Sequence, residues 1–138
     1  QECARRGGSY NSDGTLLGKL RVPEKVGNVT FGGRERDTLY IAASTSLYRI
    51  VLRTRVARQV TIGKQRWRLA LQLHIEDNGP GVPEAIRDDI FLPLVSGKEN
   101  GSGLGLTLAQ TFVQQHQGMI ECASIPGRTV FTLSVPLP

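Results

Sequence analysis

The stretch RWRLALQLHIE, residues 66–76, narrows the folds open to this chain more than any other. Trp67, Leu69, Leu71, Leu73 and Ile75 alternate with Arg66, Arg68, Gln72, His74 and Glu76. A period of two sends one set of side chains to each side of a strand. The pattern predicts a half-buried strand with its odd-numbered face inward. Residues 51–62, VLRTRVARQVTI, predict a long strand before it, joined through a turn at Gly63-Lys64. The next member of the inward face is Asp77. A carboxylate at the end of an apolar face is costly unless it is paired, so Asp77 needs a partner.

Beyond Asp77 the chain breaks into DNGPGVP, residues 77–83. A short helix is expected at 83–90, with Pro83 in its first turn and acids near its start. Residues 91–102 read as a long loop. Residues 103–116, GLGLTLAQTFVQQH, read as a helix. Leu104, Leu108, Phe112 and Val113 are expected to form its buried stripe, and Gly118 to stop it. MIECAS (119–124) and TVFTLSV (129–135) read as closing strands around a turn at 125–128. The expected back half is α+β, a two-layer sandwich with helices on one side of a mostly antiparallel sheet.

Ahead of residue 50 the texture differs. Short strands are expected at 16–22, 29–31, 38–44 and 46–52, with Gly-rich turns between them. Residues 22–28 read as a loop, and residues 1–9 show no usable periodicity. The division into domains is thus expected at 1–50, a short all-β segment, and 51–138.

Composition limits the function classes. The hydrophobic share is 39% and the charged share 21%, which suits a globular chain. No apolar run is long enough for a membrane-spanning helix. The first residue is Gln and no signal-peptide pattern follows, so a fragment or processed product is expected. Net charge is +5, and Arg53, Arg55, Arg58, Lys64, Arg66 and Arg68 crowd one segment without an acid. That segment reads as the solvated face of a hairpin. Nucleic acid is not expected as a partner, since no aromatic interleaving accompanies the charge. Cys3 and Cys122 lack CxxC spacing, so neither a disulfide framework nor a zinc site is expected, and a reducing compartment is the default.

The glycines carry the chemistry. GSGLGL, residues 101–106, opens the 103–116 helix, where backbone N–H groups can approach an anion. It is not a Walker loop, because Gly97-Lys98 is followed by Glu99. It is not a dinucleotide fingerprint either, since no strand directly precedes it. Alone, it is equally well a flexible turn. Asp77, at a strand end before glycines, can accept a hydrogen bond from an exocyclic amine such as that of adenine. It can equally start an ordinary Asx turn.

Taken together, EDNGPGVP (76–83), IFLPLVSGKENGSGLGLTLAQTFVQQHQG (90–118) and PGRTVFTLSVPLP (126–138) resemble the ATP-binding domain of sensor histidine kinases, the fold shared with Hsp90, gyrase and MutL ATPases. PLVSGKENGSGLGL, the basic hairpin and HQGMIEC resemble the nitrogen-regulation, or NtrB, type. The resemblance covers about residues 51–138. It implies ATP as cofactor, with Asp77 on the adenine amine and Gly79 and Gly81 shaping the first loop. Phe91 would lie before the ATP lid and Lys98 in it. Gly101, Gly103 and Gly105, with Leu104 between them, would form the second glycine box under the phosphates. In a complete kinase of this kind, Mg-ATP gives its γ-phosphoryl group to a histidine on a dimerisation domain, and a response regulator follows. A cytoplasmic location is implied.

Two parts of that pattern are not readable. The Asn-bearing helix that holds Mg²⁺ has no counterpart: Asn28 falls among strands and turns, and Asn78 in the first glycine box. Neither His74, on the polar face of a strand, nor His116, at a helix end, sits in a phosphoacceptor motif. No catalytic residue and no metal ligand is therefore assigned, and the sandwich is expected to be incomplete and inactive alone. DGTLLGKLRVPEKVGNVTFGGRERDTLYIAASTSLYRI (13–50) resembles the C-terminal end of a gluconolactonase-type propeller of the SMP-30 family. A lactonase-like hydrolase fragment and a non-catalytic interaction module are the alternative functions.

Overall fold

In the computed structural model, residues 6–10, 16–21, 25–97 and 101–138 are described. They fall into two compact units, Gln1–Ile50 and Val51–Pro138. In the first, β1 (Arg6–Tyr10) pairs antiparallel with β2 (Leu16–Arg21). Residues 6–9, in a stretch without periodicity, thus belong to a strand: Gly7 faces Leu20 and Gly8 faces Lys19, so backbone pairing and not an apolar pattern carries it. β3 (Val26–Gly32) pairs antiparallel with β4 (Thr38–Ala43), Val29 opposite Ile41 and Phe31 opposite Leu39. β3 begins inside the expected 22–28 loop and absorbs the three-residue strand expected at 29–31. Leu39 and Ile41 are buried, whereas Val29 and Phe31 are exposed.

The strands expected at 46–52 and 51–62 are one strand, β5 (Leu47–Ile62). No glycine or proline lies between Ser46 and Gly63 to interrupt it. β5 runs through the boundary between the units, with Val51–Ile62 in the second.

In the second unit the strand order is β5, β6 (Gln65–Asp77), β8 (Arg128–Leu137), β7 (Met119–Ile125). β8 pairs antiparallel with both neighbours, so Ile75, Phe131 and Cys122 lie abreast, as do Leu73, Leu133 and Ile120. α1 (Gly105–Gln115) packs against β7 and β8. The helix expected at 83–90 is a 3-10 turn, Glu84–Asp89. The α+β class and the antiparallel sheet are as the sequence implies.

The even-numbered face of β6 is a polar ladder. Arg55 Nε donates to Gln72 Oε1 at 2.9 Å, and Gln72 Nε2 donates to Ser134 Oγ at 3.1 Å. His74 Nδ1 lies 3.2 Å from Thr132 Oγ1, and Arg128 pairs with Glu76 at 3.2 Å. A groove of about 360 Å³ on this face is lined by Arg53, Arg55, His74, Glu76 and Arg128 among others. Arg53, Arg55, Arg58, Lys64, Arg66 and Arg68 are all exposed.

Two expectations about burial fail. Leu71, on the odd face, is 40% exposed, while Ala70, on the even face, is fully buried. Ala70 is short and neighbours Gln72, whose amide bridges Arg55 and Ser134 across it. More consequentially, Leu104, Leu108 and Phe112 are exposed, and only Val113 of the expected stripe is buried. The residues turned inward are Leu106, Ala109, Gln110 and Val113, spaced i, i+3, i+4 and i+7.

The end of α1 also differs in detail. Gln117, not Gly118, takes the left-handed conformation, with φ of 58°. Gly118 N–H donates to the Val113 carbonyl at 2.9 Å. A Cβ on Gly118 would lie 2.6 Å from the Ser134 carbonyl oxygen, so glycine is needed there for close approach of helix to sheet. Gly118→Ala is expected to destabilise the unit by about 1–3 kcal/mol through that overlap. Gln117→Gly is expected to be neutral or stabilising by less than about 1 kcal/mol. Urea unfolding of both variants, with unchanged m-value, checks the contrast.

Candidate functional site

Asp77 is the last residue of β6 and faces Thr129 of β8. Its Oδ1 accepts the Gly79 N–H at 2.8 Å, closing an Asx turn. A Cβ on Gly79 would stand 2.8 Å from that same oxygen, so any side chain there would cover the carboxylate. The loop that follows is clamped to the end of the β7–β8 hairpin. Gly127 N–H donates to the Gly79 carbonyl at 2.9 Å, and Val82 N–H donates to Ser124 Oγ at 2.8 Å. Ser124 Oγ in turn lies 2.9 Å from Thr129 Oγ1, and Thr129 is buried. Gly81 has φ of 87°, and a Cβ there would lie 3.1 Å from the Ile125 backbone. Both the conformation and the close backbone demand glycine.

The chain then passes through the 3-10 turn, anchored by buried Ile90, and returns to the start of α1. Thr107 Oγ1 donates to the Phe91 carbonyl at 3.0 Å. Leu94 N–H donates to the Gly103 carbonyl at 3.1 Å. At Gly103, with φ of 66°, a Cβ would collide with the Leu94 carbonyl carbon. Gly103 is thus fixed by a backbone crossing. Gly105 is different: a Cβ there meets nothing within 4 Å. Glycine at a helix start lowers helix stability by about 1 kcal/mol relative to alanine, and no packing requires it here. Leu104 occupies the N-cap position without a side-chain cap, so the first-turn amides of α1 have no capping acceptor from the N-cap.

The structure therefore brings the expected residues into two groups. Asp77, Gly79 and Gly81 form one loop; Phe91, Gly103, Leu104 and Gly105 gather at the start of α1. The Val82–Ser124 bond ties the first group to β7, and the Thr107–Phe91 bond ties Phe91 to α1. Leu104 is exposed and lies in no buried stripe. Gly101 is exposed and lies outside any regular element. Lys98 falls outside the described residues. His116, expected to be structural, lies beyond the C-terminal end of α1, its Nδ1 2.8 Å from the Phe112 carbonyl oxygen.

Sequence reasoning missed Cys122, Ser124 and Thr129. Cys122 shares the Asp77 face through the register, and burial pushes its thiol up. The Asp77 carboxylate pushes it further up, and the Arg87 guanidinium opposes both. The thiol is thus within electrostatic reach of both Asp77 and Arg87. Nothing in the local sequence of these residues signals this; only the pairing of β7 with β8 and β8 with β6 does.

Residues 43–138 match the family described as histidine kinase-, DNA gyrase B-, and HSP90-like ATPase. The chain belongs to this family. The match begins before Val51 and takes in the whole of β5. Over 88 residues the chain is 49% identical to the sensory histidine kinase/phosphatase NtrB of Escherichia coli O157:H7, covering 64% of this chain and 25% of that protein. It is 50% identical over 70 residues to the protein of the same name from Rhodobacter capsulatus, covering 51% and 20%. The chain thus spans a quarter or less of the length of these relatives. Among solved structures, the mycobacterial sensor histidine kinase MprB matches with a TM-score of 0.45 and 28% identity, over 62% of this chain and 55% of that one.

For this member of the ATPase family, the Cys122 environment yields a pH prediction. The raised thiol gives up its proton at higher pH than an ordinary cysteine does. In a Cys3→Ser background, iodoacetamide reactivity is expected to rise at higher pH than for free cysteine. Asp77→Asn removes a raising charge and is expected to lower that midpoint. Arg87→Gln removes the opposing charge and is expected to raise it. Alkylation rates against pH check both directions.

Proposed function

We propose that residues 51–138 are the nucleotide-binding part of a sensor histidine kinase of the NtrB type, with ATP as ligand. The observation that carries this is the half-buried carboxylate of Asp77 at the end of β6. It is oriented by the Gly79 N–H, and glycine at 79 keeps any side chain off it. A carboxylate held this way accepts a hydrogen bond from the adenine amine. Gly81 keeps the loop against the β7–β8 hairpin, and Cys122 and Thr129 lie on the same face.

The phosphates belong at the start of α1. The bare Gly105 and the uncapped first turn fit an anion there, since free amides and the helix dipole both favour negative charge. Phe91 is tied to that turn through Thr107, and Lys98 would add positive charge from the lid. When bound, ATP supplies a transferable γ-phosphoryl group. The chain's own residues position it and neutralise its charge. Among the described residues no group of three His, Cys, Asp or Glu is placed to hold a metal ion.

In the whole protein, the phosphoryl group would pass to a histidine on a dimerisation domain and then to a response regulator, in the cytoplasm. Neither His74 nor His116 fits that acceptor role, the first beside Thr132 and the second beside the Phe112 carbonyl. The same reading takes residues 13–50 as the end of a lactonase-type propeller. The antiparallel β1–β2 and β3–β4 pairs support it, since propeller blades are antiparallel sheets.

Binding of a fluorescent ATP analogue, competed by unlabelled ATP, tests the assignment. Asp77→Asn removes a charged acceptor worth about 1.5–3 kcal/mol, so affinity is expected to fall roughly 10-fold to 100-fold. Unchanged affinity would mean that adenine lies elsewhere. With radiolabelled ATP, no phosphoryl group is expected on the chain itself; label on His74 or His116 would overturn the reading of both histidines.

A further inference from the structure

We propose that the polar face of the second unit carries a binding site for a small dianion with an acidic group at each end, in the groove over His74. His74 and Glu76 are even-numbered members of β6 and Asp77 is odd, so the site lies on the opposite side of the sheet from Asp77. It stands or falls independently of the nucleotide assignment.

The groove measures about 360 Å³, within the range of small-molecule sites. Arg53 and Arg55 line it from β5, His74 and Glu76 from β6, and Arg128 from β8. β6 runs between β5 and β8, so the arginines of the two walls stand on strands about 10 Å apart. Three guanidinium groups against one carboxylate leave the groove with a formal charge of +2, counting His74 as neutral. A dianion matches that charge.

Two of the arginines are held in place by the sheet. Arg55 Nε donates to Gln72 Oε1, and Gln72 Nε2 donates in turn to Ser134 Oγ, which is buried. That chain anchors Arg55 to a hydroxyl inside the sheet through Nε alone. The bond leaves the fork of two terminal amino groups, the part of arginine that grips a carboxylate or phosphate. Arg128 uses Nη2 on Glu76 and has further donors on the same guanidinium. A solvated charge needs no such anchoring; a site that must meet a ligand in one geometry does.

The anchors set the ligand's shape. Gln72 and Glu76 are four residues apart on β6, with His74 midway. His74 Nδ1 lies 3.2 Å from Thr132 Oγ1, and with that hydroxyl as donor the neutral imidazole carries its proton on Nε2. A ligand that meets both arginines therefore crosses His74 and needs an acidic group at each end. A compact anion reaches one wall only. Short dicarboxylates and diphosphates share the required chemistry.

Titration of the ¹⁵N-labelled full chain with succinate and with inorganic pyrophosphate, at constant ionic strength, tests this. Saturable amide shifts at Arg53, Arg55, His74 and Arg128 are expected with at least one of the two, and which one binds tells the carboxylate class from the phosphate class. Butyrate and inorganic phosphate, with one acidic group each, are expected to bind at least about tenfold more weakly. Arg55→Gln and Arg128→Gln, both at exposed positions, are each expected to weaken the dianion at least about tenfold with unchanged circular dichroism. Arg55→Lys keeps the charge but loses the fork and the Nε bond to Gln72, and is expected to weaken it several-fold. The proposal is overturned if neither dianion gives saturable shifts at these residues, or if the shifts are confined to Gly103 and Gly105. Equal binding of the one-ended anions, or unchanged affinity in any of the three variants, overturns it as well.

Discussion

Asp77 faces Thr129 across the β6–β8 ladder, and the rest of the site depends on that register. A slip of one residue would turn the β6 side chains to opposite faces relative to β8. It would move Asp77 away from the Ser124–Thr129 pair that anchors the following loop. The same register sets Cys122 and Phe131 abreast of Ile75, two residues before Asp77. The carboxylate is thus placed by backbone pairing over nine residues rather than by its own contacts, of which the Gly79 N–H is the one that orients it.

From that fixed point the two glycine groups divide the work. In the first, the glycines keep side chains off a charged acceptor and let the loop lie on the β7–β8 hairpin. In the second, Gly103 allows two backbone segments to cross, while Gly105 leaves open space before a helix start. Packing requires the glycine at 103, whereas at 105 the fold gains nothing from lacking a side chain.

Much of this was legible in the sequence. The alternation of residues 66–76 gave β6 and put Asp77 at its end, because a two-residue period is a direct imprint of the pleat. The glycine spacing placed both loops. What failed, failed for want of tertiary information. The helix carries apolar residues on two sides at helical spacing, and periodicity cannot choose between Leu104–Leu108–Phe112 and Leu106–Ala109–Val113; only the neighbours of α1 decide. Ala70 is buried on a face whose neighbouring members, Gln72, His74 and Glu76, are polar, which no local pattern records. Gly118 looked like a helix stop but answers a contact with Ser134, sixteen residues on. Cys122, Ser124 and Thr129 join the site through strand order alone.

The central claim is that nucleotide is recognised on the Asp77 face of the second unit. The most direct test is an ATP titration of the ¹⁵N-labelled chain, followed by amide shifts. The account predicts the largest changes at Asp77, Gly79, Gly81, Gly103 and Gly105. Changes concentrated instead around Arg53, Arg55 and Arg128, on the polar face, would show that the phosphates are held by the basic groove and would contradict it.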